Sequence, residues 1–179
     1  MASAKNIVLI GFMGTGKSTV GKILAKKMNR KLEDVDHRIE EKEKRRIAEI
    51  FEKQGEPYFR KLEKEMVREV AAASNLVITT GGGAVVDEEN FSALRQNGIV
   101  VALVANAETI YNRVKDARHR PLLKTGDMLG EIRRLLEVRK PCYDCADMKF
   151  LTDGKTAAQV AEEIQAALEK DEEFEFGKG

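Results

Sequence analysis

Two hydrophobic rhythms alternate along the chain. Short unbroken apolar runs at residues 6–10 (NIVLI), 76–80 (LVITT) and 99–105 (IVVALVA) have the length and β-branched content of strands buried on both faces. A weaker run at 31–35 and a short one at 149–152 read as further strands. Between them the apolar residues fall at helical spacing. Val20, Ile23, Leu24 and Met28 make one stripe over 17–28, and Phe59, Leu62, Met66, Val67 and Val70 make another that ends near Ala73. Residues 36–51 predict a highly charged helix whose apolar points are Ile39, Ile47, Ile50 and Phe51. Gly55 then suits a helix end and Pro57 the first turn of the next helix. Shorter helices are expected at 87–96, 107–116, 128–138 and 157–168, whereas 117–127 shows no clean period. The acidic tail, 169–179, has no apolar period and is expected to fray. Strands that alternate with helices call for a parallel sheet covered on both faces, an α/β fold. No internal repeat or linker divides it, so residues 1–179 are read as one domain.

Composition narrows the field without choosing a chemistry. Lys and Arg number 31 against 30 for Asp and Glu, a net charge of +1 that argues against a dedicated nucleic-acid binder. No apolar run approaches the roughly 20 residues of a membrane span. Two cysteines cannot make a disulfide framework, and no signal-peptide layout is seen, so the expected location is cytoplasmic.

The first chemical signal is the segment from Gly11 to Ser18, GFMGTGKS, which fits G-x-x-x-x-G-K-[ST] in full. A strand precedes it and an amphipathic helix follows, the context the motif needs. Glycines let successive backbone N–H groups converge on phosphate oxygens, and a helix N-terminus adds a favourable dipole. Gly14, Thr15, Gly16, Lys17, Ser18 and Thr19 are the expected nucleotide contacts. Lys17 would pair with the β- and γ-phosphates, and Ser18 would ligate Mg²⁺. ATP with Mg²⁺ is therefore the expected ligand pair. The loop alone does not separate kinases, switch GTPases and motor ATPases, although no guanine-reading N-K-x-D is present.

A second acid near the metal is missing from the usual place, because 76–80 ends in Thr and glycines. The weak strand at 31–35 offers Asp34 and Asp36 instead, two carboxylates that an extended chain aims to one side. By itself a D-x-D pair is more often a solvated acidic turn.

Further along stand Gly55-Glu-Pro-Tyr-Phe-Arg-Lys-Leu-Glu63, Thr80-Gly-Gly-Gly83, Arg120-Pro-Leu-Leu123 and Arg139-Lys-Pro-Cys-Tyr143. In this order, behind the phosphate loop and D-x-D, the set resembles the shikimate kinases over residues 6 to 168. The resemblance implies a P-loop NTPase-type three-layer α/β/α fold with a five-stranded parallel sheet, a helical substrate-binding region and a mobile lid at 117–127. It implies transfer of phosphate from ATP to the 3-hydroxyl of shikimate, in aromatic amino-acid biosynthesis, by a monomer. Carried over by residue, it makes Asp34 the acid associated with Mg²⁺ and Asp36 the partner of the shikimate hydroxyls. Arg60 and Arg139 would hold the substrate carboxylate, and Gly81, Gly82 and Gly83 would line the pocket. Glu63 would orient its neighbours. Arg120 would reach the transferring phosphate from the lid, and Arg113 would lie beside the adenine. Lys17, Asp36 and Arg120 are thus the expected catalytic residues.

The chemistry suits these residue types. A guanidinium meets a carboxylate in a two-pronged fork that Lys cannot copy. Glycines let a flat ligand lie against the backbone where a Cβ would intrude. One departure is visible: family members often have a glycine between the two helical pieces after D-x-D, where this chain has Glu43-Lys44-Arg45-Arg46. Cys142 and Cys145 read C-x-x-C but lack the partners of a zinc site, and are taken as incidental thiols. Other readings are a gluconate or nucleoside monophosphate kinase, or a non-catalytic ATP-binding module. Lys17, Arg60, Arg113, Arg120 and Arg139 are expected to converge on one cleft, so that the near-zero net charge hides a sorted distribution.

Overall fold

A computed structural model describes residues 5–116 and 127–176, with side chains described through residue 170. Its five strands are β1 (Asn6–Ile10), β2 (Lys31–Asp34), β3 (Leu76–Thr79), β4 (Gly98–Val104) and β5 (Met148–Leu151). They form one sheet in the order β2-β3-β1-β4-β5, and every pairing is parallel. The chain leaves β1 first toward β2 and β3, then crosses to β4 and β5 on the other side. A crevice therefore opens beyond the carboxyl ends of the central strands, where α/β sheets bind ligands.

Strand pleating splits the apolar residues between two cores. Ile7, Leu9, Val77, Val101 and Leu103 face α1 (Lys17–Lys27) and α7 (Ala157–Phe176). Val8, Ile10, Ile78, Val100 and Ala102 face the other layer. That layer holds α2 (Val35–Glu43), α3 (Ile47–Ala71), α4 (Glu88–Gln96), α5 (Ala107–Val114) and α6 (Met128–Asp144). Because β1 is apolar on both faces, hydrophobicity alone does not fix its register. Asn6 does so at the strand's first residue. Buried, it donates through its amide to Ala73 O at 2.8 Å and accepts from Leu76 N at 2.9 Å, which ties β1 to the entry of β3.

The structure departs from the sequence expectations at element ends, each for a local reason. The helix expected over 36–51 is two helices. Lys44 ends α2 in the left-handed region (φ 52°, ψ 35°) that a glycine adopts freely, and the chain restarts at Ile47. The D-x-D pair does not lie on one extended strand. Asp34 caps α2 by accepting from His37 N at 3.0 Å, so Asp36 already belongs to the helix's first turn. Gly55, at φ 81° and ψ 171°, breaks α3 into two helical pieces, in keeping with the helix end and the restart at Pro57 that the sequence predicts. The helix expected at 128–138 continues through Pro141 to Asp144. The acidic tail, expected to fray from Glu169, continues α7 to Phe176, since Glu, Lys and Asp cost a helix little. The stretch 117–126, with the expected lid and Arg120, lies outside the described residues.

Candidate active site

The loop from Gly11 to Ser18 joins the end of β1 to α1, so its N–H groups meet the helix N-terminus at the crevice. Gly16 caps α1 in the left-handed region (φ 96°), and Gly14 is left-handed too (φ 77°). A Cβ on Gly14 would stand 2.7 Å from Val114 Cγ1 on α5, so both conformation and space demand glycine. Thr15 Oγ1 and Lys17 Nζ donate to Phe12 O at 2.8 and 2.9 Å, and both side chains are buried. Thr19 lies exposed in the first turn of α1.

Beside this loop the structure brings Ser18 and Asp34 together. Asp34 Oδ2 accepts from Ser18 Oγ at 3.4 Å and from Thr79 Oγ1 at 2.8 Å. One carboxylate and one hydroxyl, next to a loop shaped for polyphosphate, fit Mg²⁺, which takes few protein oxygens and completes its shell with phosphate and water. Thr79 occupies the strand-end position where the missing acid was sought, and supports Asp34 instead. No motif marks Thr79, and only its place at the end of a buried strand points to it.

Next to the loop lies a cavity of about 790 Å³, lined among others by Met13, Asp36, Arg60, Glu63, Arg139 and the three glycines at 81–83. Four elements supply these groups: α2 gives Asp36, α3 gives Arg60 and Glu63, the turn after β3 gives the glycines, and α6 gives Arg139. None of the three glycines has a positive φ. A Cβ on Gly81 would lie 3.0 Å from Asp36 Oδ1 and one on Gly83 would lie 2.8 Å from Arg60 Nη2, whereas one on Gly82 would meet backbone first, 3.1 Å from Met13 N, with Arg139 Nη1 in ordinary contact at 3.5 Å. The glycine run thus seats the protein's own charged groups as well as leaving room for a ligand.

Electrostatics sharpen the assignment of Asp36. Its Oδ1 is covered and has no hydrogen-bond partner among the described residues. Burial, then the nearby carboxylates Asp34 and Glu63, push its pKa up to about 7, against the pull of Lys17. Glu63 is buried and also pushed up by desolvation, while Arg60 pulls the other way. Its Oε2 accepts from Arg60 at 2.7 Å, and its Oε1 has no hydrogen-bond partner among the described residues. Arg60 is held from the other side by Glu56 at 3.0 Å and stacks over Phe59 at 5.3 Å. Arg139 stacks over Phe12 at 5.4 Å. Tyr143, one turn on, accepts a hydrogen bond from Arg139 and donates to Gly82 O at 2.8 Å, and burial pushes its pKa up to about 12. Tyr143 therefore fixes both an arginine and a glycine of the cavity. In the sequence it stands only as the last residue of Arg139-Lys-Pro-Cys-Tyr143.

Lys17, Arg60 and Arg139 do converge on the crevice. They do not make it simply positive, because Asp34, Asp36 and Glu63 share it. Arg113 stands apart from the cavity, on the outer side of the phosphate loop, where it donates to Gly14 O at 3.1 Å. Arg120 is outside the described residues, so its expected place on the phosphate is untouched by this geometry.

Comparison with known proteins agrees with this arrangement. The family profile described as Shikimate kinase matches residues 13–169. A shikimate kinase of Persephonella marina is 45% identical over 89% of this chain and 96% of its own length. One of Caldicellulosiruptor saccharolyticus is 46% identical over 89% and 93%. Among solved structures, shikimate kinase from Acinetobacter baumannii in complex with shikimate superposes with a TM-score of 0.90 at 37% identity, covering 94% of each chain. A gluconokinase from Sinorhizobium meliloti superposes with a TM-score of 0.67 at 16% identity, a likeness of fold alone. With the profile spanning most of the sheet and the cavity's own residues inside it, the chain belongs to the shikimate kinase family.

Proposed function

We propose that this protein transfers the γ-phosphoryl group of ATP to the 3-hydroxyl of shikimate, giving shikimate 3-phosphate and ADP. The observation that carries the reading is the gathering of Asp36, Arg60 and Arg139 around the glycines at 81–83 in one cavity beside a phosphate loop. Two arginines on separate helices give a carboxylate two forks, and that fixes which ring hydroxyl faces the nucleotide. Glu63 holds Arg60 in place for this.

The attacking hydroxyl oxygen forms a bond to the γ-phosphorus while the bond from that phosphorus to the β,γ-bridging oxygen breaks. The electron pair of the broken bond leaves on ADP, and the hydroxyl proton passes to Asp36. A carboxylate with its pKa near 7 is well matched to accept that proton at neutral pH. Lys17 and the loop N–H groups stabilise charge on the phosphoryl oxygens, with Arg120 as the further cation in this reading. Ser18 and Asp34 are the groups that would hold Mg²⁺, which offsets the phosphate charge when bound. Among the described residues no helix is long and apolar enough to cross a membrane, and one chain carries every group named. In this reading the protein works as a monomer in the cytoplasm, on the route to aromatic amino acids.

The test is release of ADP from ATP and Mg²⁺ with shikimate, gluconate, AMP or no acceptor. Shikimate alone is expected to raise the rate above the blank. An equal or larger response to gluconate or AMP sinks the reading, and no response to any acceptor would favour a non-catalytic nucleotide-binding role.

A further inference from the structure

Thr152, just past the end of β5, is buried yet uses two oxygens on one exposed cation. Its Oγ1 accepts from Arg113 Nη1 at 3.0 Å, and its carbonyl accepts from Arg113 Nη2 at 2.9 Å. The same Nη1 donates to Gly14 O at 3.1 Å. One guanidinium therefore joins three segments: the phosphate loop after β1, helix α5 after β4, and the turn after β5. The turn grips α5 at its other end as well, since Asn106 N donates to both carboxylate oxygens of Asp153 at 3.2 Å.

The peptide held this way follows Gly14, which has no Cβ and a left-handed backbone, and on its other side Thr15 donates through both N–H and Oγ1 to Phe12 O. A peptide is planar, and fixing its carbonyl on one side fixes its N–H on the other. Here the carbonyl is turned out to Arg113. The Thr15 N–H points inward, resting on Phe12 O at a long 3.3 Å. Val114, the next residue of α5, fills the space behind Gly14. Helix α5 is thus a backstop that sets both the position and the orientation of this peptide.

We propose that Thr152 is a positioning residue for nucleotide binding, acting through Arg113 to hold the Gly14 carbonyl outward and the loop's N–H groups inward. The proposal rests on the loop's being a polyphosphate site and does not depend on the identity of the phosphate acceptor. It gives Arg113 work to do at the phosphate end of the site, separate from any contact with a base.

Calorimetric titration with two probes, ADP and tripolyphosphate, tests it without shikimate. Thr152→Val keeps the side-chain shape and removes one acceptor. It is expected to weaken both probes by the same factor, about three- to tenfold. Thr152→Ser, which keeps the hydroxyl, is expected to bind both like the parent. In an Arg113→Met background, Thr152→Val is expected to add nothing. Wild-type affinity in Thr152→Val overturns the proposal. So does loss of ADP affinity with tripolyphosphate unchanged, which would place the effect at the base. Additive losses in the double variant overturn it too, as does a lower melting temperature with both affinities intact. Should Thr152→Val not fold, Arg113→Lys reads the same point from the exposed side, because an ammonium cannot span the three acceptors. It is expected to weaken tripolyphosphate, and unchanged affinity would overturn the proposal.

Discussion

Asp36 meets two opposing demands. It must be ionised to take a proton, yet burial and two neighbouring carboxylates favour its neutral form and raise its pKa from 3.8 to about 7. The sign of the consequence for activity follows directly: kcat/KM for shikimate is expected to rise with pH up to about 7 and then level off. Asp36→Asn is expected to lower kcat by about 10²- to 10⁴-fold with a smaller change in KM. Stability runs the other way. The folded state holds the proton more tightly than the unfolded chain, so stability falls as pH rises from about 4 to about 7 and is flat above. Asp36→Asn is therefore expected to be more stable than the parent by about 4 kcal/mol at pH 8 and nearly equal to it near pH 3, read by urea unfolding. The same difference at both pH values would show that the carboxylate is not strained. At this scale the sequence was legible as motif positions, Lys17, Asp36, Arg60 and Arg139, which the fold brings to one crevice. It was silent on Thr79, Tyr143 and Thr152, because their roles depend on partners 45, 61 and 39 residues away that only the fold brings near.

Elements position these residues through their breaks more than their lengths. Gly55 sits at φ 81° and ψ 171°, a region open in practice only to glycine, and splits α3 into two pieces. Phe51 before the break and Phe59 after it pack at 4.7 Å between ring centroids, which sets the angle of the second piece and so the aim of Arg60. Gly55→Ala is expected to lower stability by about 1–3 kcal/mol and to raise the KM for shikimate several-fold with little effect on that for ATP. If both Michaelis constants stay unchanged, the break does not aim Arg60. Lys44 shows the opposite case, a left-handed position filled by a side chain. Lys44→Gly is expected to raise stability by about 1 kcal/mol, seen as a higher melting temperature, with activity unaffected. A lower melting temperature would mean that the lysine side chain contributes more than its backbone strain costs. Hydrophobic period located every main strand and helix in the described residues. It missed where the run at 36–51 divides, because the interruption is one charged residue's backbone conformation, which leaves apolar spacing intact. It also ended α6 at Val138 and α7 at Leu168, short of Asp144 and Phe176.

For the whole molecule, a parallel sheet with its switch at β1 puts the phosphate loop, the β2 acid and the glycine turn at one edge of the sheet. Three helices then lean over that edge with Asp36, Arg60 and Arg139. Net charge said little about this arrangement. The cations Lys17, Arg60 and Arg139 meet the carboxylates Asp34, Asp36 and Glu63 in the crevice, so the balance of 31 to 30 is repeated locally rather than hidden. Such a site is poised to take an anionic nucleotide on its cationic loop and a hydroxy acid whose carboxylate meets the arginines. The central claim is regiospecific transfer to one hydroxyl, and ³¹P NMR of the product tests it most directly. Incubation with ATP, Mg²⁺ and shikimate is predicted to give one phosphomonoester signal, coupled to the ring proton at carbon 3, that grows in step with ADP. A signal coupled to another ring proton, or inorganic phosphate alone, would contradict it.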